Sequence, residues 1–181
     1  MTEKSAEKTI QIPEGIEIIA NKNELTAKSD GKENKRIFSL RNIKITKQGN
    51  LLKISSEKST KRELKIIGTI VAHIKNMING IKDDFVYTLE ICNVHFPMVV
   101  KAEGDKVIIK SFLGESTNRI AKIVKNSKVE VKGNKIIVSS FDIESAGQTA
   151  ANIEKATKIK SRDRRIFQDG IFITKKLEKE I

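Results

Sequence analysis

The chain has 181 residues, 38% hydrophobic and 32% charged, with a formal net charge of +12 and a pI near 9.7. That length fits one domain or two modules of ~90 residues, the charges are too evenly spread for a low-complexity tail, and the basic excess points to a polyanionic partner, nucleic acid ahead of a membrane surface. The single cysteine, Cys92, excludes an internal disulfide and suits a reducing compartment; the charged start MTEKSAEKT does not read as a secretory signal, and the longest apolar run, Ile66 to Ile74, is far short of the ~20 residues that span a bilayer.

Residues 1–11 are expected to be a flexible N-terminus. Ile16 and Ile18, then Leu25 and Ala27, alternate with polar neighbours around NKNE and predict a hairpin. SDGKENK after it reads as a polar loop. Ile43 and Ile45, then Leu52 and Ile54, predict a second hairpin across KQGN, where Gly49 can take a positive φ. Leu64, Ile67, Ile70, Val71, Ile74, Met77 and Ile78 draw one apolar stripe and predict a helix over 61–79, opened by a Thr60–Glu63 capping box and stopped by Gly80.

The second half replays this order. Val99 with Val107 and Ile109 flank AEGDK, and Val129 and Val131 with Ile136 and Val138 flank KGN, as two hairpins. A helix follows through Ile143, Ala146, Ala150, Ile153 and Thr157, with Asp142 as its N-cap. QGNLLKISS at Gln48 nearly repeats as KGNKIIVSS at Lys132, and GTIVAHI from Gly68 matches GQTAANI from Gly147 in glycine, alanine and isoleucine. A mid-helix glycine costs ~1 kcal/mol against alanine, so its place in both helices suggests close approach of helix to sheet. The fold is therefore read as α+β: two tandem similar modules, each a mostly antiparallel β-sheet packed on one face by an α-helix. The modules are placed at 12–82 and 83–160, with a basic C-terminal extension at 161–181.

Catalytic signals are weak. His73 and His95 lack any metal-ligand spacing and read as structural residues or RNA contacts. Asp83 with Asp84, and Asp142 with Glu144, are explained by a solvated turn and by a helix dipole. No phosphate loop or G-x-G-x-x-G occurs, and GES at Gly114 is not a nucleophile elbow. No catalytic residue, metal, cofactor or small-molecule substrate is nominated, and Cys92 reads as a buried small residue.

The basic surface remains. Lys28, Lys32, Lys35, Arg36, Arg41, Lys44 and Lys47 form one zone, diluted by Asp30 and Glu33 and explained as well by solvation. From Lys155 to Lys176 the chain carries eight basic residues (Lys155, Lys158, Lys160, Arg162, Arg164, Arg165, Lys175, Lys176) against Asp163 and Asp169, an excess that is half of its net charge. Three arginines in four positions repel one another unless counter-charge arrives, and phosphate supplies it. No helix-turn-helix or zinc-finger spacing is present, and seven Phe and one Tyr are few stacking platforms for a single-strand binder. Phosphates and 2′-hydroxyls of a folded RNA, recognised by shape, fit best. A basic interaction module for structured RNA or an acidic protein partner, or an RNA-acting enzyme built on Asp142, Glu144 or His73, stand as alternatives.

GQTAANIEKATKIKSRDRRIFQDGIFITKK, Gly147 to Lys176, closely resembles the C-terminal signature of the large ribosomal subunit protein six family in its archaeal and eukaryotic form. AHIKNMINGI from Ala72, HFPMVVKAEGDKVII from His95 and FLGE from Phe112 resemble the family's central motifs, and the similarity runs from about Ile12 to Lys176. The resemblance implies two tandem α/β modules, no catalysis, and a cytoplasmic, ribosome-bound protein that binds large-subunit ribosomal RNA. It implies a place near the stalk base and the sarcin–ricin region, with large-subunit proteins of the stalk base as neighbours and translation GTPases close by. RNA contacts are then expected at Gln148, Asn152 and the basic residues from Lys155 through Arg165, at Lys175 and Lys176, and at Arg119, Lys75 and Asn76. Where the family usually carries a proline and an arginine after FLGE, this sequence has STNRI, keeping Arg119 without the proline.

Overall fold

Strands dominate both halves because β-branched residues alternate with polar ones between short turns. The computed structural model describes residues 6–21, 23–29, 31–38, 43–57, 60–177 and 179–180, and its backbone divides into two units, Met1–Asp83 and Asp84–Ile181.

In the first unit, strands β1 (Ala6–Gln11), β2 (Glu17–Asn21), β3 (Glu24–Ser29), β4 (Lys32–Ile37), β5 (Ile43–Gln48) and β6 (Leu51–Ser56) precede helix α1 (Lys61–Lys82). They form two antiparallel sheets, ordered β1-β6-β5 and β2-β3-β4. Gly49 takes φ 59° in the turn between β5 and β6. Ile18, Leu25 and Ala27 from one sheet, Leu52 and Ile54 from the other, and Ile67, Ile70, Ile74 and Met77 from α1 close one core.

Three expectations for this unit change. Ala6–Gln11, expected to be flexible, pairs along its whole length with β6. SDGKENK is no loop: from Lys32 it builds β4, whose charged residues are stabilised across the ladder, Glu33 lying opposite Lys28 and receiving Lys28 and Lys35 at 3.4 Å each. The Thr60–Glu63 capping box forms, but α1 runs past Gly80 to Lys82 and ends in extended backbone at Asp83. The apolar face does not stop at Gly80, since Ile81 is buried in the same core as Ile78. Asp30 and Arg41 of the first basic zone lie outside the described residues.

The second unit repeats the order. Strand β7 (Phe85–Cys92), the meander β8 (Val99–Glu103), β9 (Lys106–Lys110) and β10 (Arg119–Lys122), the hairpin β11 (Lys128–Lys132) and β12 (Lys135–Ser140), and helix α2 (Ile143–Ala156) follow in turn. Asp142 caps α2, accepting from the amides of Glu144 and Ser145. The central hairpin strand is flanked as in the first unit: β12 lies between β11 and β7 as β6 lies between β5 and β1.

The second unit then adds what the first lacks. After α2 the chain returns as β13 (Gly170–Lys176), antiparallel to β7, and closes on the two-residue β14 (Lys179–Glu180). The stretch read as a C-terminal extension therefore contributes a strand to the main sheet. The matched glycines also part company. A Cβ on Gly147 would lie 3.2 Å from Tyr87 Oη, whereas one on Gly68 would meet nothing within 4 Å. Close helix-to-sheet approach holds for α2 only.

Candidate nucleic-acid interface

The cationic segment begins where α2 ends. Thr157 turns its hydroxyl onto Glu154 O at 3.1 Å and accepts the amide of Ile171 at 2.9 Å, fixing the helix end to the start of β13. Between these anchors, residues 158–169 form no helix or strand and pass Ser161 at φ 58°. Lys155, Lys158, Lys160, Arg162, Arg164, Arg165, Lys175 and Lys176 are all exposed.

The two acids of the segment do not offset that field equally. Asp163 grips Arg165, which binds it through its backbone amide at 2.9 Å and through its guanidinium Nη2 at 2.9 Å. Those bonds hold the Asp163 carboxyl below its ordinary range. Asp169 is buried at 1% exposure and accepts Val94 N at 2.7 Å, His95 N at 2.9 Å and His95 Nδ1 at 2.6 Å. Burial alone would raise its pKa, but the bonds from His95 and Val94 outweigh it and bring it to about 2. The His95 ring lies 5.1 Å from that of Phe167, and the Arg162 guanidinium lies over the same Phe167 ring, 4.8 Å from its centroid.

Other expected contacts are placed differently. Arg119 is turned inward: it binds Glu115 through two nitrogens at 2.6 and 2.8 Å, donates to the carbonyls of Ala156 at 2.9 Å and Lys158 at 3.2 Å, and sits 4.3 Å over Phe112. Its side-chain bonds hold Glu115 below the usual carboxylate range. Gln148 is exposed and donates to Asn152 at 2.8 Å, while Asn152 donates to Lys122 O at 2.9 Å. Lys75 is exposed and Asn76 half-buried on α1, in the other unit. Lys155, Lys158 and Arg164 line one cleft of about 630 Å³ together with Phe167, Phe172 and Cys92. Cys92 is only half-buried, at the open end of β7. The sequence pointed to neither phenylalanine as a surface group; the signal was FQDGIF, where an acid sits among apolar residues in an otherwise basic run.

The first basic zone is largely engaged internally. Lys44 pairs with Glu57 at 2.7 Å, Lys47 donates to Ile18 O at 3.1 Å, and Arg36 lies 3.4 Å from His73 Nε2. The described residues hold no group of three or more His, Cys, Asp or Glu placed to bind a metal ion.

Fold and site together define a basic two-unit α+β scaffold, with a run of exposed cations from the end of α2 into β13. Residues 96–170 match the family model for Ribosomal protein L6. The chain is 46% identical over 167 residues to the protein of Methanobrevibacter smithii named Large ribosomal subunit protein uL6, covering 92% of this chain and 94% of that one. Proteins of the same name from Methanosarcina mazei and Archaeoglobus fulgidus are 44% and 40% identical, over 96% and 97% of this chain and 98% and 92% of theirs. The chain belongs to the ribosomal protein L6 family, in its archaeal form, and is a structural protein rather than an enzyme.

Proposed function

We propose that this chain is a constituent of the large ribosomal subunit in the cytoplasm and that it holds large-subunit ribosomal RNA through the stretch from the end of α2 through β13. The observation that carries this reading is the exposure of all eight cations from Lys155 to Lys176 while Asp169 is buried and Asp163 is spent on Arg165. Fixed cations on a braced segment suit the phosphate contour of a pre-folded RNA, since their ordering cost is met by the fold before binding. Gln148 belongs to the same contact surface, and Lys175 and Lys176 extend it along β13. The resemblance of the C-terminal signature supports a contact near the stalk base and sarcin–ricin region, with the stalk-base proteins as neighbours and translation GTPases docking close by. Sedimentation of tagged protein at low and high salt tests the assignment, followed by footprinting of the bound RNA. Stoichiometric recovery in the large subunit is expected. Absence from the particle would move the function to an extra-ribosomal partner.

A further inference from the structure

The cleft between the end of α2 and the start of β13 combines two chemistries that the phosphate grip does not need together. Its rim carries Lys155, Lys158 and Arg164, whose side chains have no ion-pair partner among the described residues. Its walls carry two flat apolar rings among polar side chains: Phe172 is 37% exposed, and Phe167 is half-buried with its ring held by His95 and Arg162. Phe172 keeps its place because Gly170 lacks a side chain, a Cβ there lying 3.0 Å from Phe172 Cζ. At about 630 Å³ the cleft falls within the range of about 300–1,000 Å³ typical of sites for single small molecules.

We infer that this cleft takes one unstacked nucleotide of the RNA partner, its base against Phe167 and Phe172 and its flanking phosphates on Lys155, Lys158 and Arg164. The inference rests on the RNA-binding reading above. Aromatic faces beside cations are what a nucleotide uses, since every base has a π-face and every linkage a charge. An acidic peptide would use the cations and leave the rings idle. It could not add a strand here either, because the Ile171 amide is taken by Thr157 Oγ1 at 2.9 Å and the Ile173 amide by Glu154 Oε1 at 3.4 Å. The two carboxylates that line the cleft, Glu154 and Asp169, are both bound to backbone amides rather than facing an incoming anion unpartnered.

Cys92, the chain's single cysteine, lines the cleft and reports its occupancy. Burial, with the nearby Glu90 and Asp169 carboxylates, pushes its thiol pKa up, so alkylation is followed at mildly alkaline pH. Full-length protein is mixed with transcribed large-subunit ribosomal RNA, and N-ethylmaleimide alkylation of Cys92 is timed with and without it. At least fivefold slowing is expected, with none from polyglutamate. Phe172→Leu keeps the apolar volume and loses the flat face; it is expected to weaken RNA affinity about fivefold or more with an unchanged salt slope, circular dichroism confirming the fold. RNA that binds with its normal salt dependence while Cys92 reacts at the free rate would overturn the cleft assignment and leave the RNA-binding reading standing, as would unchanged affinity of the Phe172→Leu variant. Equal protection by polyglutamate would give the cleft to an acidic protein. Failure of the RNA to bind at all would sink both readings.

Discussion

Asp169 and His95, 74 residues apart in sequence, are joined at 2.6 Å between Oδ2 and Nδ1. An ionised carboxylate only accepts, so Nδ1 carries the proton of this bond and Nε2 is left to face outward from the pair. The same carboxylate takes the amides of Val94 and His95 on its other oxygen, so one buried side chain fastens the loop after β7 to the foot of β13.

That arrangement makes the second unit acid-sensitive at a defined place. Asp169 ordinarily titrates near 3.8 and is lowered to about 2 in the fold, so its contribution is complete above pH ~4 and is lost as pH falls through ~2. A shift of that size corresponds to on the order of 2 kcal/mol at neutral pH. Denaturant unfolding of Asp169→Asn is expected to show a loss of that order at pH 7 and a flatter profile between pH 4 and 2. A variant that keeps the parent's acid limb would contradict the assignment.

Arg119 is a brace for the basic segment. Its guanidinium holds two carbonyls at the end of α2 and is fixed by Glu115 and Phe112. Arg119→Ala is expected to destabilise the protein by about 2 kcal/mol, with Arg119→Lys recovering only part because an ammonium lacks the planar fork. The salt slope of RNA binding should be unchanged once the variant is folded. A slope reduced by about 1 with full stability would make Arg119 a direct phosphate ligand instead.

The matched glycines should respond with opposite sign. Gly68→Ala enters open space on α1 and is expected to stabilise by about 0.5–1 kcal/mol through helix propensity. Gly147→Ala drives a methyl to 3.2 Å from Tyr87 Oη, a contact that offsets the same gain, so no increase is expected. Thermal unfolding of both variants decides it, and equal stabilisation would mean that Tyr87 yields freely.

Within the arginine run, the three side chains should not weigh equally on RNA. Arg164 has no carboxylate partner among the described residues, whereas Arg165 is held by Asp163. Arg164→Ala should flatten the salt slope by about 1, Arg165→Ala by less, and Asp163→Asn should steepen it by freeing Arg165. Binding isotherms across a salt series measure all three, and a flat response to Arg164→Ala would remove it from the interface.

Local signals carried much of this fold. The turns at Gly49, Gly104 and Gly133 all have positive φ, and the Thr60 and Asp142 caps form because each is decided within a few residues. What escaped was set at long range. The β7–β13 pairing joins residues some eighty positions apart, and β1 and β4 are strands whose own residues are mostly polar, so no periodicity announces them. At the site, the composition of the segment from Lys155 to Lys176 was plain, but direction was not. Arg119 turns inward and Phe172 outward, and charge and hydrophobicity alone predict the reverse.

Tyr87 is the chain's single tyrosine, and there is no tryptophan. Because that ring is buried against Gly147, with its phenol pKa pushed up by burial, the tyrosine fluorescence of the whole molecule comes from the interior of the second unit. Melting followed by tyrosine fluorescence therefore watches one unit and is blind to the other. The first unit would need an added fluorophore before fluorescence could follow its unfolding, which circular dichroism reports only summed with that of the second.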